Sequence, residues 1–288
     1  MPRIEVFAPA KVNLVLHVTG RRADGYHLLD SLVAFAPFGD HLTLDQAAVM
    51  SLRLTGDEAA DIPAGPENLV LRAAACMPGG TGGVAITLDK RLPPASGIGG
   101  GSSDAAATLR GLALLRGVPL PPDGGLMLGA DVPMCLNPRP AQISGIGEDI
   151  TPVSLPPLPA ILVNPRVQVA TPAVFGALRR RDNPVMGAVP VFASVRACID
   201  WLARQRNDLQ DPACVLAPQI TGVLVALTAL PGCRLARMSG SGATCFGLFD
   251  TLAQAETGYA TIRAAYPAWW AACGLLGDQG AASAPRFA

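Results

Sequence analysis

A glycine-rich segment in the first half of the chain has the residue types of a phosphate-binding loop. The run Pro93–Ala106 reads Pro-Pro-Ala-Ser-Gly-Ile-Gly-Gly-Gly-Ser-Ser-Asp-Ala-Ala. Because glycine lacks a Cβ and adopts positive φ, successive N–H groups can approach and face a phosphate. A β-rich stretch precedes the run, and apolar residues at helical spacing follow it. The N-terminus of that predicted helix would add unpaired N–H groups and the positive end of its dipole.

Other interpretations of this loop fit less well. A Walker A loop requires Gly-Lys, and this dipeptide is absent from the chain. A dinucleotide-binding fingerprint needs a third glycine where Ser102 stands. Its acidic residue would be Asp123, which lies in Pro-Pro-Asp-Gly-Gly and not at a strand end. A flexible linker is disfavoured because strand and helix flank the loop directly. The loop predicts a phosphate cradle and leaves the family open.

The composition restricts the partners that such a loop could serve. Basic and acidic residues number 22 each, and half of the 288 residues are hydrophobic. Nucleic-acid-binding proteins usually carry a basic surface, so we expect a local phosphate site and no nucleic-acid partner. The seven cysteines form no CxxC pair, which favours reduced thiols in a cytosolic protein. No apolar run is as long as a membrane span, so we expect a cytoplasmic protein without membrane contact.

The elements that would position the loop predict an α+β protein of two domains. In the first domain, 1–152, strands are predicted at 3–7, 12–18, 28–38, 41–44, 51–54 and 84–88, and helices at 68–76 and 103–116. A Pro-dense stretch, 151–159, is the predicted boundary. In the second domain, 160–276, strands are predicted at 160–163, 166–169, 235–239 and 244–249, and helices at 191–206 and 218–230. Residues 277–288 are rich in Ala, Gly and Ser and are predicted to be a disordered tail.

Three segments, in this order, resemble the signature motifs of the GHMP kinases, a superfamily of small-molecule kinases. They are Ala-Pro-Ala-Lys-Val-Asn-Leu at 8–14, the glycine-rich loop, and Met-Ser-Gly-Ser-Gly-Ala-Thr at 238–244. The resemblance implies an N-terminal domain like domain 2 of ribosomal protein S5 and a ferredoxin-like C-terminal domain. Three motifs spread over the chain are more specific than any one of them alone.

Five shorter segments are similar to one family of that superfamily, the diphosphocytidyl-methylerythritol kinases. They are Gly25-Tyr26-His27, Gly129–Pro133, Ser144–Glu148, Thr171–Phe175 and Asn207-Asp208-Leu209. The similarity extends to about residue 249. It departs at 121–125, where a fuller helix is expected, and at position 210, where Gln replaces a common Glu.

The resemblance implies an activity, its cofactors and its partners. The activity would be ATP-dependent phosphorylation of the 2-hydroxyl of diphosphocytidyl-methylerythritol, in the non-mevalonate route to isoprenoids. ATP and Mg²⁺ would be the cofactors, and the chain would act as a monomer or weak homodimer. Two alternatives are another GHMP kinase, acting on homoserine or a sugar, and a non-catalytic ligand-binding protein of this fold.

Two residues carry the catalytic expectation. By resemblance, Asp131 is the base for the hydroxyl proton and Lys11 is its partner. A lysine beside a carboxylate keeps it ionised and stabilises charge that develops during phosphoryl transfer. Lys11 is one of only two lysines, beside twenty arginines, and lies between apolar segments. Without the motif, Lys11 could be a surface lysine and Asp131 a turn or N-cap residue before Pro133.

The substrate-binding expectation also comes from the resemblance. Tyr26 and Phe175 would stack on the two faces of the cytosine, and His27 would hydrogen-bond its edge, as proteins commonly read a base. Asn13 would orient the methylerythritol hydroxyls, and Thr171 would contact the substrate. The alternatives are a core position for Phe175 and a strand-edge amide for Asn13.

The nucleotide expectation covers the loop and three neighbours. The residues predicted to contact ATP are Pro94, Ala95, Ser96, Gly97, Ile98, Gly99, Gly100, Gly101, Ser102, Ser103 and Asp104, with Asn68, Leu69 and Lys90 on the adenosine side. No carboxylate pair has metal-ligand spacing, so we assign no protein metal site and expect Ser102 or Ser103 to be the contact to Mg²⁺. The turn 239–242 is predicted to close the site without a catalytic role.

Overall fold

The computed structural model describes residues 2–78 and 83–288, which contain both helices and strands. The strands, in chain order, are β1 Arg3–Arg21, β2 His27–Gln46, β3 Ser51–Thr55, β4 Val84–Asp89, β5 Ala141–Gly145, β6 Asp149–Pro152, β7 Leu158–Asn164, β8 Cys233–Met238, β9 Cys245–Phe249, β10 Trp270–Leu276 and β11 Arg286–Phe287. The helices are α1 Leu69–Cys76, α2 Gly100–Arg116, α3 Val132–Leu136, α4 Thr171–Gly176, α5 Val195–Ala203, α6 Gln210–Leu216, α7 Gln219–Thr228 and α8 Leu252–Ala265.

The strands form two sheets. The first has the order β11-β1-β2-β4-β3, and β5 and β6 extend from the other half of the long strand β2. The second has the order β10-β7-β9-β8, with every neighbouring pair antiparallel. Helices connect β7 to β8 and β9 to β10, which together with this order gives the ferredoxin-like pattern that the sequence led us to expect. The α+β prediction is confirmed.

Apolar side chains arrange these elements in four layers. One face of the first sheet packs against α1, α2 and α3. One face of the second sheet packs against α7 and α8. The remaining faces pack on each other through a shared core, which includes Ala10, Val12, Leu14, Leu32, Ala34, Ala36, Ala160, Leu162, Phe246 and Leu248. Alternating residues of each sheet therefore serve two cores at once.

The sequence predicted a break at residues 8–10, but strand β1 continues through them. Its pairing with β2 shifts register between Pro9 and Lys11. Ile4 and Val6, before the shift, pack on the helix side, whereas Val12, after it, packs between the sheets. The proline therefore marks a change of packing partner within one long strand.

Two other expectations are wrong. Residues 166–169 form no strand, because Arg166 adopts a φ of +59° that ends the extended conformation after β7. Residues 277–288 are ordered instead of disordered: Gly277 pairs with Phe35, and β11 pairs with β1. The small residues of this tail allow close packing, so their composition does not signal disorder here.

None of the helices in the described residues is long and apolar enough to cross a membrane.

Candidate active site

The first and third motifs meet at the glycine-rich loop, and each donates hydrogen bonds to its carbonyls. The carbonyl of Ser96 accepts from the N–H of Thr244 at 3.1 Å, and that of Ile98 accepts from the N–H of Lys11 at 2.9 Å. Between them, the carbonyl of Gly97 accepts from the Ser239 hydroxyl at 3.0 Å. Consecutive loop carbonyls are therefore turned into the protein.

Because the loop's carbonyls are turned into the protein, its N–H groups are free to face outward. The N–H groups of the first turn of a helix have no intrahelical partner, and in α2 these belong to Gly100, Gly101 and Ser102. The carbonyls one turn earlier are already bonded to the other two motifs. Ala95, Gly97 and Gly99 have positive φ of +48°, +75° and +67°, the alternation that forms an anion-binding nest. α2 begins three residues before the predicted start, so the last glycines form its first turn.

Space at the loop also suits a phosphate chain. A Cβ built on Gly101 would meet only the Leu69 side chain, at 3.5 Å. The exposed backbone, the helix dipole and the open space fit a polyanion such as the triphosphate of ATP. The Leu69 side chain lies beside this opening.

Lys11 and Asp131 form an ion pair beside the loop. Lys11 Nζ lies 3.0 Å from Asp131 Oδ2, and the two side chains are 6% and 40% exposed. Asp131 occupies the N-cap position of α3 but makes no capping hydrogen bond with its side chain, so its carboxylate remains available to Lys11 and to a substrate. A Cβ on Gly99 would lie 3.1 Å from Lys11 Cε, which places the lysine stem directly against the loop.

Asn13 links this pair to the third motif. Its Oδ1 accepts from Lys11 Nζ at 2.8 Å, and its Nδ2 donates to the Ser31 hydroxyl at 2.8 Å. Its backbone N–H donates to the Ser239 hydroxyl, the same group that holds Gly97. The amide is therefore fixed in orientation and is more than a strand-edge residue.

Ser239 is a site residue that the sequence argument treated only as part of a turn. Its hydroxyl accepts from one motif and donates to another, and it is completely buried. The amide of Asn207 supports the turn by donating to the carbonyls of Met238 and Gly240. Gln210 Oε1 accepts from Met238 N at 2.9 Å, a bond that an amide makes as well as a carboxylate. The departure from Glu at position 210 therefore leaves this contact intact.

Lys90 and Asp104 lie beneath the loop instead of lining it. Lys90 Nζ contacts Asp104 Oδ2 at 2.8 Å and also binds Asp40, which the sequence argument did not identify. Burial of all three groups is nearly complete. Burial lowers the pKa of Lys90, but the two carboxylates outweigh it, and the net pKa is raised. Burial raises the pKa of Asp104 to about 8, although Lys90 opposes the shift.

Four side chains that were expected to contact the nucleotide bond other residues of the protein. Lys90 and Asp104 are held by each other and by Asp40. The Ser103 hydroxyl is buried and donates to Pro9 O at 2.8 Å. The Asn68 amide caps α1, accepting from Val70 N and donating to Pro63 O. Each of these side chains forms its polar contacts with other residues of the protein, because it lies where two structural elements meet.

The residues expected to bind the base lie near one another in an arrangement that differs from the expected sandwich. His27 stacks on Phe175, with ring centroids 4.7 Å apart and planes inclined by 24°, whereas Tyr26 is 62% exposed. Phe175 is only partly buried and packs at the edge of the second core. Burial lowers the pKa of His27, and the nearby Arg21 and Arg181 lower it further. Phe175 is therefore neither a full core residue nor an open platform.

Thr171 connects this aromatic pair to the third motif. Its hydroxyl lies 2.7 Å from that of Ser241, at the start of the helix that carries Phe175. The turn containing Ser241 in turn holds Gly97. A continuous set of contacts thus joins the aromatic pair to the phosphate loop.

Replacing Gly97 by alanine should disturb the loop through its backbone. The added Cβ would lie 2.6 Å from the carbonyl oxygens of both Ser239 and Gly242. We expect a loss of about 1–3 kcal/mol in the free energy of unfolding beyond that of the control, and a KM for ATP raised about tenfold or more. Denaturant unfolding and steady-state kinetics measure the two effects.

Gly117→Ala is the matched control for this change. Gly117 ends the same helix with a φ of +63°, but a Cβ there meets nothing within 4 Å. It carries the conformational cost of positive φ alone, about 1–2 kcal/mol. Equal effects of the two substitutions on stability and on the KM for ATP would contradict the close packing of Gly97.

The chain matches known proteins over both sheets. The family model "GHMP kinases N terminal domain" matches residues 68–137, and "GHMP kinases C terminal" matches residues 189–268. A 4-diphosphocytidyl-2-C-methyl-D-erythritol kinase of Dinoroseobacter shibae is 58% identical over 272 residues, 94% of each chain. The crystal structure of a 4-(cytidine 5'-diphospho)-2C-methyl-D-erythritol kinase superposes with a TM-score of 0.78 at 39% identity, covering 95% of this chain and 99% of that one.

A more distant structure shows the fold alone. The homoserine kinase of Cytophaga hutchinsonii superposes with a TM-score of 0.69 at 19% identity, covering 99% of this chain and 97% of that one. The two sheets and the glycine loop at the start of α2 are thus those of a GHMP kinase. Within that superfamily, the chain belongs to the family of 4-diphosphocytidyl-2-C-methyl-D-erythritol kinases.

Proposed function

We propose that this protein transfers the γ-phosphoryl group of ATP to the 2-hydroxyl of 4-diphosphocytidyl-2-C-methyl-D-erythritol, giving the 2-phosphate and ADP. The observation that carries the proposal is the Lys11–Asp131 ion pair of 3.0 Å beside the glycine loop, in a chain of this kinase family. Mg²⁺ as the companion of ATP, a cytoplasmic location and a monomer or weak homodimer are further parts of the proposal.

Phosphoryl transfer to an alcohol needs an oriented hydroxyl, a group that takes its proton and positive charge near the transferred group. Asp131 Oδ atoms, partly exposed and free of capping bonds, accept the hydroxyl proton. The Lys11 ammonium, buried against the loop, stabilises charge on the transferred oxygens. Asn13 holds the ammonium in place through its Oδ1 and orients the reacting hydroxyl.

The loop holds the phosphate chain of ATP through its backbone. The N–H groups of the first turn of α2 donate to phosphate oxygens, assisted by the helix dipole. Bound Mg²⁺ supplies charge neutralisation on the phosphates. Of the two candidate serines, Ser102 is the one to contact the metal, because the Ser103 hydroxyl is buried on Pro9 O.

The cytosine is bound at the aromatic pair. It stacks on Phe175, with the exposed Tyr26 closing over its other face. His27 Nε2 is buried and has no hydrogen-bond partner among the described residues, so it can bond the edge of the base once its ring parts from Phe175. An unsatisfied buried group gains from such a partner.

A coupled ADP-release assay tests this proposal, with ATP, Mg²⁺ and three alcohols: the diphosphocytidyl substrate, homoserine and mevalonate. We expect turnover with the first alone. In His27→Ala, the KM for this substrate should rise about tenfold or more, the loss of one base contact, while the KM for ATP stays near the wild-type value.

Equal turnover of the wild type with homoserine would favour another kinase of this superfamily. Binding of ATP without turnover of any alcohol would favour a non-catalytic ligand-binding protein. Either result would overturn the proposed substrate.

A further inference from the structure

One buried arginine that the reaction does not use lies behind the site. Arg110 is three turns along α2 from the glycine loop and is 9% exposed. It forms no ion pair with a carboxylate within residues 2–78 and 83–288. Its guanidinium instead donates to backbone carbonyls: Nη2 to Phe7 at 3.0 Å, Nη1 to Cys135 at 2.5 Å and to Leu136 at 3.5 Å, and Nε to Ser283 at 3.2 Å.

These carbonyls belong to three different segments of the molecule. Phe7 lies in β1, four residues before Lys11. Cys135 is in the last turn of α3, whose first turn follows Asp131. Ser283 lies in the ordered tail. Because α2 itself begins at the glycine loop, one side chain ties together the elements that carry the phosphate site, the ammonium and the carboxylate.

A simple packing role does not account for this residue. Burying a cation without a carboxylate partner carries a large desolvation penalty, and an apolar side chain of similar volume would avoid it. Burial lowers the pKa of Arg110 to about 10, which reflects that penalty. The planar guanidinium offers what an apolar residue lacks, which is several donors in fixed directions.

We propose that Arg110 is a positioning residue: by bonding Phe7, Cys135 and Ser283, it sets the placement of Asp131 relative to Lys11 and makes the tail 277–288 part of the active-site scaffold. This inference rests on the proposed phosphoryl transfer. Displacement of a reacting group by about 1 Å can lower a rate about 100-fold, so the effect falls on kcat.

The test is Arg110→Met, which keeps the length of the side chain but removes its donors, with Arg110→Lys as a second variant. Lysine keeps the charge, yet a single ammonium cannot reach carbonyls in three divergent segments. We expect kcat to fall about 10- to 100-fold in Arg110→Met and less in Arg110→Lys, with the KM for ATP changed less than about threefold. Circular dichroism and denaturant unfolding establish the folded fraction at the assay temperature.

Arg237→Met is the matched control. Arg237 is 6% exposed and likewise donates to backbone carbonyls, those of Leu14, Leu202 and Gln205. Burial likewise lowers its pKa to about 10, but its guanidinium makes no bond to α2 or α3. It should lose similar stability and retain kcat within about threefold.

Equal decreases of kcat in the two methionine variants, measured on folded protein, would overturn the positioning role while leaving the proposed reaction intact. A wild type that is inactive with the diphosphocytidyl substrate would overturn the proposed function and this inference together.

Discussion

Asp131→Asn should lower kcat about 100- to 10,000-fold, the range of a lost general base. The amide keeps the shape of the side chain but cannot take the hydroxyl proton. It also removes the anion at 3.0 Å from Lys11 Nζ. The glycine loop does not depend on this carboxylate, so the KM for ATP should change less than about threefold. Single-turnover ADP formation separates this loss of chemistry from slower product release.

Asp182→Asn serves as the control for this substitution. Its carboxylate is 81% exposed and pairs with Arg180 on the surface, so kcat should not change. If Asp131→Asn retained more than about a tenth of the wild-type kcat, Asp131 would position the hydroxyl without accepting its proton.

Lys90→Met should destabilise the protein by about 3–5 kcal/mol, the loss seen when a buried ion pair keeps only one partner. Asp40 and Asp104 would then face each other in the interior without a cation. Because protonation removes their repulsion, the loss should be smaller at about pH 5 than at about pH 8. The direction follows from the effect of Lys90 on Asp104: Lys90 lowers the pKa of this buried carboxyl, so its removal raises that pKa further. The folded variant then holds its proton more strongly than the wild type does, and its stability falls more steeply as pH rises. Urea unfolding at the two pH values measures the difference.

Arg91→Met is the control for the lost lysine. Arg91 is adjacent, but its pair with Asp89 is exposed, so the change should be within about 1 kcal/mol. If Lys90→Met unfolded at the wild-type urea concentration at both pH values, the buried cluster would contribute nothing to stability.

The glycine loop shows which features could be predicted from the sequence and which could not. Strand, glycines and helix follow one another along the chain, so their order predicts a phosphate cradle from local rules. The partners of the loop's carbonyls could not be predicted in that way, because Thr244 and Ser239 lie more than a hundred residues away. Only the family resemblance predicted that the third motif lies at the same site.

The buried cluster shows a second limit. Lys90 was expected at the nucleotide from the family resemblance, and Asp104 was expected there as part of the loop motif. Side-chain direction depends on register, and Asp104 faces inward from the first turns of α2 to meet Asp40 on β2. Nothing in the local pattern around Asp40 distinguishes it from a strand-end aspartate. The ordered tail escaped prediction for a related reason, since its order depends on Phe35, Arg110 and β1.

The apolar core between the two sheets has a consequence for how such a protein can evolve. Val12 and Leu14 of the first sheet share that core with Leu162 and Phe246 of the second. The part of the chain that forms one sheet cannot be transferred to another gene without exposing a face of that sheet. Apolar surface exposed in this way favours aggregation. A volume change on one side must be matched on the other, so the two halves should diverge in step. Chimeras that combine sheets from distant kinases of this fold would then fail to pack at the core between the sheets, even when both parental sites are intact.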